Sequence, residues 1–125
     1  MRRSLLLGLA ALAFTAACVP AGASTDNGPA DRSVISEQEI AASKANDGYS
    51  VVRALRPNWL LPATGASSRD EVQVYVEGSK AGSTAVLQRY DANTIRELRW
   101  LNGTDATTRY GTGNGAGAIL VFLKR

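Results

Sequence analysis

Histidine is absent from this 125-residue sequence, cysteine and methionine occur once each, and aromatic residues make up only 6%. Without an imidazole, no side chain titrates near neutrality at its ordinary pKa, so histidine general-base catalysis and histidine pH switching are excluded. A single thiol rules out an internal disulfide and, in a chain with no histidine, a mixed Cys/His zinc site. Charge of either sign is scarce in excess: 14 basic residues face 11 acidic ones, a formal net charge of +3. Two of those basic residues are Arg2 and Arg3 at the extreme N-terminus, and without them the balance is nearer +1. Nucleic-acid surfaces concentrate Lys and Arg against phosphates, so no nucleic-acid partner is expected.

What is present begins with Arg2 and Arg3, the uncharged run from Leu5 to Phe14, and then Thr15, Ala16 and Ala17. Basic, apolar and small-residue stretches in that order read as an export signal over residues 1–17. The apolar run is short for a bilayer span. Thr15-Ala16-Ala17-Cys18 resembles the cleavage box of bacterial lipoproteins, with Thr15 where leucine is usual. The resemblance implies lipidation at Cys18, which becomes the first mature residue. Two or three acyl chains hold a protein to a membrane where one is marginal. Ordinary cleavage near Ala17 or Ala23 is the alternative. The implied location is the bacterial cell envelope, facing the periplasm, with the membrane reached through lipid. Val19 supplies no Asp-type retention cue, which tips the address toward the outer membrane. Residues 18–34 carry almost no bulky apolar side chains and two prolines, Pro20 and Pro29, so they read as a flexible tether that cannot offset ordering entropy by burial.

The folded part is expected over residues 35–125. Ser36 and Glu39 form a capping-box pair, Ile35 and Ile40 the matching hydrophobic staple, and a short helix follows over 37–44. Asn46-Asp47-Gly48 interrupts it. Tyr49, Val52 and Leu55 then recur at helical spacing up to Pro57, which stops that second helix near Leu55 or Arg56. Trp59, Leu60 and Leu61 form a bulky patch expected to lid the core. Val72, Val74 and Val76 alternate with Gln73, Tyr75 and Glu77, predicting a strand with one wet face that ends at Gly78–Gly82. Asp91 to Ile95 can make one helical turn. Leu98 and Trp100 alternate with Glu97 and Arg99 in a second half-exposed strand, which places Arg96 and Trp100 on one face and Arg99 on the other. Thr104 to Tyr110 is a turn or a single helical element. Ala118 to Leu123 is apolar on both faces, as a central strand is. The expected class is α+β: a small mixed β-sheet with the two N-terminal helices on one face.

The ordered set Val72-Gln-Val-Tyr-Val-Glu-Gly78, Ile95-Arg-Glu-Leu-Arg-Trp-Leu-Asn-Gly103, Asp105-Ala106, Tyr110-Gly111 and Gly117 to Lys124 resembles the plug domain of TonB-dependent outer-membrane receptors. Glu77 stands where that family usually has Asp, and Trp100-Leu101-Asn102 where it often has Val-Leu-Lys. No barrel strands follow in this sequence, and no energy-coupling box is evident between Cys18 and Ser36. What the resemblance implies is a free-standing plug-like module, not a transporter by itself.

Catalytic signals are weak throughout. The Glu37/Glu39 and Asp70/Glu71 pairs lack calcium-loop spacing, and no Ser-Lys arrangement accompanies Lys44, Lys80 or Lys124. Gly111 to Gly117 is glycine-rich, but no Lys-Ser/Thr follows and a strand stands where a phosphate loop would open a helix. It reads as a tight connection needing positive φ, with a recognition loop as the alternative. Neither enzyme activity, cofactor nor metal is expected. Cationic and aromatic residues interleave at Arg89-Tyr90, Arg96, Arg99-Trp100 and Arg109-Tyr110, either as core aromatics with snorkelling arginines or as a binding surface. Arg96, Arg99, Trp100, Tyr110, Gly111 and Asn114 are therefore the candidate partner-binding residues. Two functions follow: a non-catalytic envelope module that binds a protein through the 71–77 strand edge or the 110–117 loop, and a structural lipoprotein that binds lipid headgroups or cell-wall glycan. Partner identity and oligomeric state stay open.

Overall fold

The computed structural model describes residues 31–63, 65–67 and 69–125. The expected export signal, Cys18 and the tether up to residue 30 lie outside the described residues. Helix α1 (Glu37–Ser43) starts with the capping box its sequence predicts. Ser36 Oγ accepts from the Glu39 N–H at 3.3 Å, and Glu39 Oε2 accepts from the Ser36 N–H at 2.9 Å. Ile35 and Ile40 are both buried, as the staple requires. Helix α2 (Gly48–Leu55) begins at Asp47, whose Oδ1 accepts from the Ser50 N–H at 2.9 Å. The segment expected only to interrupt is thus also the next N-cap. Gly48 is needed for close approach, since a Cβ there would lie 2.9 Å from Ile95 Cδ1. Pro57 ends α2 and opens a 3-10 turn over Pro57–Leu60. Trp59 of that turn is buried while Leu61 is 64% exposed, so the expected lid closes only partway along.

Five strands, β1 (Val34–Ile35), β2 (Gln73–Val76), β3 (Ser79–Ser83), β4 (Ile95–Leu101) and β5 (Ala118–Leu123), form one mixed sheet in the order β1-β4-β5-β2-β3. The class is α+β, as expected, with β5 central. It pairs antiparallel with β4 and parallel with β2. Its side chains alternate between two cores. Ile119 and Val121 join Val74, Leu98, Trp59, Val51 and Val52 beneath α1 and α2, while Ala118 and Leu120 join Tyr75 and Ala106 on the other side. The second core exists because an eight-residue helix, α3 (Gly103–Tyr110), lies there. Asn102 caps it, Oδ1 accepting from the Asp105 N–H at 2.8 Å. Among the described residues no helix is long and apolar enough to cross a membrane.

Three expectations change. Gly78–Gly82 does end β2, but it is not only a terminator, since most of it forms the next strand, β3. Glu77 (φ 48) and Gly78 (φ 82) make a two-residue turn into β3, the positive-φ pair that matches strand twist in a hairpin. Asp-Gly is the familiar signal for that turn, and Glu-Gly performs the same role here. Second, Tyr75 does not face water. It is 5% exposed, covered by α3. Third, Val34 belongs to the sheet, paired opposite Arg99, and the Ser33 carbonyl accepts from the Trp100 N–H at 2.7 Å; residues 31–34, assigned to the tether, are part of the fold.

Packing is also tight at Gly117 (φ 105), where a Cβ would collide with the ring of Trp100. That ring is stacked on Trp59, centroids 6.0 Å apart and planes at 20°. Gly117→Ala combines left-handed strain with overpacking and is expected to cost about 3 kcal/mol or more. Gly111→Ala, at φ 91 and ψ −168 but with nothing within 4 Å of a Cβ, meets backbone strain alone and is expected to cost less, about 1–3 kcal/mol. Urea unfolding of the two variants measures the difference.

Candidate functional site

Strand β4 carries an irregularity that relocates its charged residues. Its pairing with β5 matches Ile95 to Leu123 and then Glu97 to Phe122, leaving Arg96 as an extra residue. Such a bulge inserts one residue and bends the strand, shifting the inward-outward alternation by one. Ile95, Leu98 and Trp100 therefore all serve the α1/α2 core, and Arg96 leaves Trp100's face. Its guanidinium carbon lies 5.9 Å from the centre of the Phe122 ring, and that of Arg99 5.5 Å from the same ring. The expected grouping of Arg96 with Trp100, opposite Arg99, is reversed: the two arginines flank one aromatic, and Trp100 packs on Trp59 behind the sheet.

Further along the same face, Tyr110 of α3 stacks on Tyr75, centroids 3.9 Å apart at 15°, and Arg109 lies 5.4 Å from the Tyr110 ring centre. The face thus carries two cation–aromatic groups, one at Phe122 and one at Tyr110. Phe122, Leu101 and Tyr110 are half-buried, and Arg96, Arg99 and Arg109 are exposed. Arg99 also forms an ion pair with Glu97, and this hydrogen bond and its charge raise the Arg99 pKa further. Arg96 and Arg109 have no carboxylate partner within ion-pair distance among the described residues.

Asp31 sits beside Arg99 at the start of the described chain. Its carboxyl is held below the usual carboxylate range, first by the Ser33 hydroxyl at 2.6 Å, then by the Ser33 N–H at 2.9 Å, with Arg99 adding a smaller pull. A depressed carboxylate stabilises the fold above its unfolded pKa, and the contribution fades in acid as pH falls through the lowered folded value. Because Asp31 is fully exposed, this concerns the local turn and not global stability.

Two candidate residues fall outside any binding surface. Asn114 is 2% exposed. Its Oδ1 accepts from the Tyr75 hydroxyl at 2.8 Å and its Nδ2 donates to the Gly111 carbonyl at 3.0 Å. It ties the glycine loop to the sheet and is not available to a partner. Trp100 is committed to Trp59. Gly111 is exposed and closes α3, its N–H donating to the Thr107 carbonyl at 2.8 Å. The 71–77 segment is not an edge either: β2 lies between β5 and β3, and the edge strands are the two-residue β1 and the longer β3. A groove of about 740 Å³ beside the start of α3 is lined, among the described residues, by Asp105 as its sole ionisable group with Asn102, Thr104, Thr107, Thr108 and small neighbours.

Sequence reasoning missed Phe122 as a surface residue because β5 reads as apolar on both faces. It missed the bulge because nothing in Ile95-Arg96-Glu97 marks one. Comparison with known proteins adds no relative: no family model matches the chain, and neither the curated proteins nor the solved structures include a match.

The Tyr75–Asn114 contact links sheet, α3 and glycine loop in one place. Asn114→Ala removes a buried acceptor and is expected to cost about 1–3 kcal/mol, and Tyr75→Phe about 1 kcal/mol. In a double-mutant cycle the combined loss falls short of the sum, because both remove the same bond. Denaturant unfolding of the three variants supplies the coupling energy.

Proposed function

We propose that this chain is a non-catalytic, plug-like module of the bacterial cell envelope, held to a membrane by lipid on Cys18 and facing the periplasm, where it binds a protein partner. Two observations support the plug-like part. The segments carrying the family likeness occupy element ends in order: the Glu77-Gly78 turn after β2, Asn102-Gly103 where β4 meets α3, and Ala106 to Tyr110-Gly111 through α3 to its cap. Gly117 then leads into β5.

The observation that carries the binding role is β3. It is the longer of the two edge strands of the sheet, and Ser79, Lys80 and Ala81 are exposed. An extended segment of a partner can add to such an edge through main-chain hydrogen bonds. The small side chains of Ser79 and Ala81 leave that backbone accessible. Val76 and Ser79 flank the two-residue turn and bond to each other, so Lys80, opposite Tyr75, turns its N–H outward. A structural envelope lipoprotein that binds headgroups or cell-wall glycan is the second reading, favoured by the Arg96–Phe122–Arg99 arrangement.

Cys18→Ser is expected to release the protein from membranes, and the intact mass of the native protein is expected to show acyl chains on Cys18. A mature chain starting elsewhere, without acyl mass, refutes the anchor. For the partner, a photo-crosslinker at position 81 in intact cells is expected to give one discrete protein adduct. Lys80→Pro, which deletes the outward N–H while sparing the β2–β3 bonds, is expected to abolish it and leave the melting temperature within a few degrees. Absence of the adduct from the unsubstituted protein, or its survival in Lys80→Pro, rejects the edge as the binding site.

A further inference from the structure

We infer that the face bearing Arg96, Arg99, Phe122 and Arg109 lies against the anionic phospholipid surface of the membrane that holds the chain, and so sets the orientation of the domain. The inference rests on the anchored reading above. A guanidinium over an aromatic ring keeps its in-plane N–H groups free to fork onto a phosphate. Arg96 and Arg109 lie in this way over Phe122 and Tyr110. Neither has a hydrogen-bond or ion-pair partner among the described residues, whereas Glu97, the acid on this face of β4, is already engaged by Arg99.

The path of the chain adds a second argument. Asp31 and Ser33 sit at the β1–β4 margin, beside Arg99 and Trp100, so the described chain begins next to this face. About thirteen residues separate Cys18 from Asp31, which reach at most about 45 Å when fully extended. A domain held that close samples the bilayer continuously at high effective concentration. Each cation near an anionic leaflet then shifts the orientation equilibrium by about fivefold. Two or three arginines on one face suffice to make it the preferred one. The β3 edge, at the far side of the sheet from β1, stays open to a partner in this pose.

Arginine footprinting tests the pose. The chain from Cys18 to Arg125 is coupled through its single thiol, Cys18, to a maleimide phospholipid in vesicles, so that the result does not depend on how cells process Cys18. Phenylglyoxal modification is then read by mass spectrometry at Arg96 and at Arg53, an exposed residue of α2 on the opposite side of the sheet. With phosphatidylglycerol in the vesicles, modification of Arg96 is expected to slow at least about fivefold relative to neutral vesicles, while Arg53 is unchanged. High salt is expected to remove the difference, and Arg109→Gln to reduce it. Equal rates at Arg96 and Arg53 on both vesicle types overturn the inference, as does protection of Arg96 that is the same on neutral lipid. Protection that appears only in native membranes and not on vesicles assigns the face to a protein and likewise overturns it. The native intact mass decides the anchor separately.

Discussion

Burial of β5 from both sides is the constraint on which the rest of the structure depends. Ala118 to Val121 are all nearly inaccessible, so the strand requires a paired neighbour at each edge and a packed layer on each face. β4 supplies an antiparallel neighbour and β2 a parallel one. A parallel partner demands a long crossover, and the chain fills it with the β3 hairpin, two 3-10 turns (Thr84–Arg89 and Ala92–Thr94), β4 and α3. The Glu77 carboxylate closes the arrangement by accepting from the Leu123 N–H at 2.7 Å, tying the hairpin turn to the end of the central strand.

The two layers are unequal, and the inequality creates the surface with functional interest. On one side α1, α2 and the Trp59 turn cover the sheet with large side chains. Arg56 holds α2 to α1 through Glu39 at 3.1 Å, on the same carboxylate that closes the capping box. On the other side a single short helix approaches closely, because Ala106 and Ala118 are small and because Gly103 lies against the Gly115 carbonyl where no Cβ fits. That helix reaches as far as Tyr75 and Tyr110 and leaves Phe122 to the arginines. A half-covered apolar sheet face rimmed by guanidinium groups results from a second layer too short to finish the job.

Local chemistry made much of the fold legible. The Ser36–Glu39 box, the stop at Pro57, the double-sided apolar run of β5 and the placement of Val74 and Leu98 in the main core all follow from spacing and residue type. The candidate site was legible in composition but not in arrangement. Arginine–aromatic interleaving marked the correct stretch of chain, yet strict alternation placed Arg96 and Trp100 together, and one inserted residue reversed that. Asn114 looked like an exposed loop polar group because its partner, Tyr75, is 39 positions away. β3 went unread because Ser-Lys-Ala-Gly-Ser has no apolar periodicity, as an edge strand with little to bury does not need any.

By itself, then, the sequence determined where α1 starts and where α2 stops, which strand is central, and that histidine and internal disulfide chemistry are closed to this chain. These depend on contacts within a few residues or on composition. Only the tertiary structure decided the strand order, the second core beneath α3, and which aromatic each arginine meets. Those depend on register between segments distant in sequence, where a shift of one residue turns a side chain from one face of the sheet to the other.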